Sequence, residues 1–185
     1  MPFAYYTRLN RAQQRVYRQS DEVAAVRLPG AGEVRPLAEE LARALAGEDR
    51  PAVQRAADRL LAALTVRLGV PPLRTEILAV RPSRGWGELH GLYTPGQRSA
   101  TATVRLWMRT AQRQQVVKFR TFLRTLVHEL CHHLDYELLG LADSFHTEGF
   151  YKRESSLVRQ LAGDPPPQGG ASPSPPGEEP RDGAS

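Results

Sequence analysis

Thr125–Gly140 reads TLVHELCHHLDYELLG, and its apolar positions Leu126, Val127, Leu130, Leu134 and Leu138 recur at intervals of three and four, the period of one helix face. The stripe extends back through Phe119, Phe122 and Leu123, so the spacing predicts one long helix from about Val116 to Gly140. Within it, His128, Glu129 and His132 form an HExxH motif. Residues four apart lie on one helix face, about 6 Å apart along the axis, so two imidazoles can converge on one ion. Zinc accepts neutral imidazole nitrogen, and a catalytic zinc keeps one position for water beside three protein ligands. Glu129, next to the first histidine, is then the expected general base, taking a proton from the metal-activated water and passing it to a leaving amine. An HExxH arises by chance in about one chain in a hundred of this composition, which makes it informative.

A third ligand must come from outside the motif. His146, beyond the turn at Gly140, is the leading candidate, with Glu148 and Glu154 as rivals, because a following helix can complete either a three-histidine or a two-histidine-one-glutamate set. His133 points about 100° away from His132 and is expected beside the site or at the surface. His90 is expected to be structural, and Cys131 a small core residue. Asp135, Glu137 or Asp143 could orient a ligand imidazole. Tyr93, Tyr136 and Tyr151 are conceivable oxyanion donors, but each is more often a packing residue with its hydroxyl at the surface, and none is placed among the site residues.

Working outward, the preceding sequence is β-prone. Thr75 to Val80, Gly87 to Tyr93 and Thr101 to Met108 read as strands, with a turn at Thr94, Pro95, Gly96 and Gln97 between the last two. Ala102, Val104, Leu106 and Met108 alternate with Thr101, Thr103, Arg105 and Trp107, which predicts a small antiparallel sheet with one buried face. Thr101 to Met108 is the expected edge strand for an extended peptide. Nearer the start, Leu9, Ala12 and Val16 predict a short helix with a solvated basic face. A second helix follows the Pro29 to Gly32 turn, and a third runs from Pro51 to Leu68. The closing helix is expected over Glu148 to Leu161.

The chain has 185 residues and 41% hydrophobic content, enough for one core. Residues 1–163 read as a single domain, and the Pro, Gly and Ser-rich residues 164–185 as a disordered tail. The chain's charge of +5, less a tail of −3, leaves the remainder at +8, which permits an acidic partner such as nucleic acid. A single cysteine excludes an intrachain disulfide and fits a cytoplasmic setting. No apolar run has the length of a membrane span.

HELCHH at His128–His133, followed by SFHTEGFYKRESSLVRQL at Ser144–Leu161, resembles the SprT-like family of zinc metallopeptidases over roughly Arg74 to Leu161. The resemblance implies an α+β, zincin-like fold, with core about 74–161, Zn²⁺ held by His128, His132 and His146, and Glu129 as base. A protein or peptide substrate would follow, with nucleic acid as a further partner. This chain lacks the cysteines of the zinc ribbon that many such proteins carry, and the N-terminal helices have no counterpart in the family pattern. The alternative from a different class is a zinc-stabilised module that binds nucleic acid or protein without hydrolysis.

Overall fold

A computed structural model describes residues 3–81, 83–84, 87–88, 91–96 and 100–163. Each helix begins and ends where local chemistry dictates. A 3-10 turn, Ala4–Arg8, leads into α1, Arg11–Glu22, whose start is fixed by a reciprocal pair of bonds between Asn10 and Gln13. The buried face of α1 carries Tyr17 and Ser20, whereas Ala12 is exposed, so the Leu9, Ala12, Val16 stripe is not what docks it. A ring and a small hydroxyl make better contacts against the loop and helix they meet, and the basic side chains Arg11, Arg15 and Arg18 face solvent. Helix α2 spans Ala31–Ala46. Helix α3 spans Arg50–Leu68, capped by Asp49 with proline in its first turn and closed by the left-handed Gly69.

The strands are β1, Arg74–Val80; β2, Ser83–Arg84; β3, Gly87–Glu88; β4, Gly91–Thr94; and β5, Thr103–Arg109. Strands β2 and β3 pair with each other, and the remaining sheet has the order β1-β5-β4. The expectation of an antiparallel sheet is corrected here, because β1 runs parallel to β5 and only β4 is antiparallel to it. The chain leaves β1, crosses through β2 and β3, and returns as a β4-β5 hairpin whose second strand inserts beside β1. Long-range crossovers of this kind leave no trace in local alternation. His90 and Gln97 lie outside the described residues.

It follows that β5, expected at the edge, is central. The outer side of β1 is also closed, since the Gln54 side chain accepts from Ile77 N–H at 2.8 Å and donates to Thr75 O at 3.0 Å. Strand β4 is therefore the edge with a role open to it. Along β5, Ala102, Val104, Leu106 and Met108 are buried as the alternation predicted, and Trp107 is buried on the other side.

Helix α4, Phe119–Glu137, starts after Val116, which instead bridges to Arg109, and α5 spans Glu148–Ala162. One apolar cluster runs from Val26 to Leu161, with Val104, Leu106 and Met108 of the sheet and Phe122, Leu126 and Leu130 of α4 at its centre. At about 25 cal/mol per Å² of apolar surface buried, this cluster fixes α4 between sheet and helices, and thereby fixes the HExxH face. Among the described residues, no helix is long and apolar enough to cross a membrane.

Candidate metal centre

His128 and His132 sit one turn apart on α4, and His146 comes from the loop between α4 and α5. Helix α4 closes at Leu138, and two residues on Gly140, at φ 62°, turns the chain back in the left-handed conformation. Thr147 then caps α5 through its hydroxyl and Phe150 N–H, which places His146 immediately before the helix. The Nε2 atoms of His128 and His146 are 3.0 Å apart, and those of His146 and His132 3.1 Å apart. Ligand atoms of all three lie within 4.8 Å of one another.

The tautomers follow from the outer bonds. His128 Nδ1 lies 2.9 Å from Glu154 Oε2, a carboxylate that accepts, so the ring's proton is on Nδ1. His132 Nδ1 lies 2.7 Å from Ser144 Oγ, and that hydroxyl donates its own proton to Asp135 Oδ2 at 2.7 Å. His132 Nδ1 is thus a donor too. Both neutral rings turn a bare Nε2 lone pair toward the centre, where the single proton His146 Nε2 could carry satisfies only one of them. Lone pairs converging in this way suit a cation. At a Zn–N length of about 2.0–2.1 Å, tetrahedral geometry sets ligand nitrogens about 3.3 Å apart, within a few tenths of the two separations from His146 Nε2. The three histidines could therefore hold a metal ion.

Support for the three rings comes from α5. Phe150, fully buried, lies 5.0, 4.9 and 5.1 Å from the ring centres of His128, His132 and His146. Burial, followed by electrostatic interaction with the neighbouring His128 and His146 rings, lowers the His132 pKa to about 3, which keeps the ring neutral. Tyr151 stacks on His146 with ring centres 5.9 Å apart.

Glu129 is 6% exposed and faces the same cleft as the histidines, a cavity of about 610 Å³ also bordered by Gly91, Leu92 and Tyr151. Burial raises its carboxyl to about 7 in the metal-free chain, against lowering by His128 and by a hydrogen bond from the Tyr93 backbone N–H.

The rivals for third ligand are placed elsewhere. Glu154 is turned to His128 Nδ1 and to Arg124, whose Nε lies 3.1 Å from its other oxygen. Glu148 pairs with Lys152 at the surface. Of the carboxylates expected to orient a ligand, Asp135 does so, through Ser144, while Asp143 accepts from Ser144 N–H. His133 is buried, not at the surface, and joins Tyr93 OH at 3.1 Å to Pro71 O at 2.9 Å. Cys131 is buried as expected.

Sequence reasoning missed Ser144, Phe150 and Arg153. Arg153 is fully buried and ion-paired to Asp135 at 2.7 Å, with its other nitrogen on Ser20 O and Val23 O. Asp135 lies three positions beyond His132, and Arg153 four beyond Gly149, so helical spacing alone put each on an inward face. Which group each would meet there depended on α4, α5 and α1 coming together. No family model, no curated protein and no solved structure matches this chain.

Proposed function

We propose that this chain is a zinc-dependent metallopeptidase of the SprT-like kind, with a zincin-like arrangement and endopeptidase activity. The observation that carries the reading is the convergence of His128, His132 and His146 Nε2 atoms, with tautomers fixed outward and Glu129 in the same cleft. A purely structural zinc closes its coordination with a fourth protein ligand, whereas Glu154, the nearest candidate, is committed to His128 Nδ1. Zinc bound by the three imidazoles would act as a Lewis acid on the scissile carbonyl and on water.

The chain's own groups divide the remaining work. Strand β4 would hold an extended peptide along its outer edge by strand addition. Glu129, its carboxylate anchored by Tyr93 N–H, would take a proton from the attacking water at one oxygen and deliver it to the departing amine. Glu154 and Ser144 would hold the histidine rings in the ligand tautomer, and Phe150 would exclude water from beneath them.

The test is metal content together with hydrolysis of an unfolded protein, with and without DNA. One zinc per chain is expected, lost in His146→Ala and weakened about 10- to 100-fold in Glu154→Gln. Glu129→Gln should retain the metal while turnover falls about 10²- to 10⁴-fold; undiminished turnover in that variant would sink the mechanism.

A further inference from the structure

The N-terminal segment, Phe3–Val23, contributes no ligand and no group to the cleft chemistry proposed above, yet its long-range polar bonds converge on the loop that delivers His146. Tyr5 OH donates to the backbone oxygen of His146 at 2.9 Å. Asp21 Oδ1 accepts from Gly149 N–H at 2.8 Å, and Ser20 Oγ meets Thr147 Oγ1 at 3.3 Å. The contact is close enough to demand glycine at 149, where an added Cβ would stand 2.6 Å from Ser20 O and 2.5 Å from Asp21 O. Both are backbone atoms that cannot swing aside. Tyr17 adds an apolar contact, its ring centre 6.2 Å from that of Phe145.

A second line of contact reaches His132. Arg153 Nη2 joins Ser20 Oγ at 2.9 Å to Asp135 Oδ1 at 2.7 Å, and Asp135 holds the Ser144 hydroxyl that accepts from His132 Nδ1. The end of α1 therefore bears on two of the three histidines by separate routes, one through backbone and one through side chains.

We infer that the N-terminal segment is a brace for the metal centre: Tyr5 holds the third-ligand loop and Asp21 the first turn of α5 that follows it, keeping His146 in its binding-competent position, and Arg153 is a positioning residue that couples α1 to His132. The inference rests on the metal reading above. A loop of this length between two helices would sample many conformations if untethered, and apparent metal affinity falls in proportion to the fraction of chains that are competent to bind. The brace raises that fraction before metal arrives.

The experiment measures zinc affinity by chelator competition, and the visible absorption of the cobalt form, on the full chain and three surface variants. Tyr5→Phe removes one bond to the loop, and Asp21→Ala one bond to the first turn of α5. Tyr6→Phe is the contrast, because among the described residues its hydroxyl accepts from Arg18, within the same segment. Zinc affinity should drop about 2- to 10-fold in Tyr5→Phe and Asp21→Ala, the scale of one net hydrogen bond, with altered cobalt bands. Tyr6→Phe should match the wild type in both. A general loss of fold would move all three variants together, and that pattern, or wild-type affinity in Tyr5→Phe and Asp21→Ala, overturns the brace while leaving the metal site standing. A wild-type chain that takes up no metal overturns both.

Discussion

Gly91→Ala tests the contact on which both sheet and site depend. Strand β4 crosses α4 so closely that a Cβ at position 91 would stand 2.5 Å from Glu129 Oε1, 2.8 Å from Glu129 Cγ and 2.8 Å from Thr125 Cγ2. Favourable carbon contacts lie at about 3.5–4.0 Å, so the methyl intrudes by roughly 1 Å. The carboxylate tip could swing, but Cγ and the Thr125 methyl sit close to a buried helix backbone, and Glu129 is itself only 6% exposed. Either β4 lifts from α4 or Glu129 leaves its bond to Tyr93 N–H. Overpacking of this kind costs about 1–3 kcal/mol, which for a chain of this size lowers Tm by roughly 2–12 °C. A displacement of about 1 Å at the base costs about 10²-fold in turnover. The three histidines are untouched, so on the proposed reading zinc content should stay at the wild-type level. Differential scanning fluorimetry, metal analysis and hydrolysis of an unfolded protein read the three quantities separately. Wild-type Tm and turnover in Gly91→Ala would refute the packing argument, and loss of zinc would refute the separation of base from ligands.

Asp135→Asn leaves the fully buried Arg153 without its counter-charge, and breaking such a pair costs about 3–5 kcal/mol; a change below about 1 kcal/mol in urea unfolding would show that the carbonyls of Ser20 and Val23 suffice. The metal-free chain should lose stability on acidification. The His132 pKa is about 3 when folded and 6.5 when unfolded, so between those values the unfolded chain binds more protons and stability falls as pH drops. His132→Asn should flatten that slope, and an unchanged pH profile would count against the burial of the ring. Cys131 is buried, and burial pushes its thiol well above its ordinary range. Ellman's reagent should therefore react with it only in denaturant, and rapid reaction of the native chain would contradict the packing of α4.

The identity of α4 and the chelating pair on it were legible in the sequence, because a period of 3.6 residues fixes which side chains share a face without reference to anything else. The helix ends were largely local too: α3 and α5 begin and end within one residue of the predicted positions, while α4 ends three residues before Gly140 and starts three after Val116. There Val116 was drawn into a bridge with Arg109 by the sheet.

Contacts between distant segments were decided only in three dimensions. Local alternation said that β5 has one buried face, but it carried no information on direction or neighbours, so the parallel β1-β5 pairing and the edge position of β4 came from the crossover. The sequence left His146, Glu148 and Glu154 open as the third ligand. The loop after Gly140 brought His146 Nε2 to the other two nitrogens, and the packing of α5 on α4 turned Glu154 to the far nitrogen of His128. By itself the sequence determined a helix whose two histidines could share a metal; which residues stand around that pair was set by tertiary packing, since hydrogen bonds such as His128 to Glu154 and Tyr5 to His146 join separate elements and have no local signature.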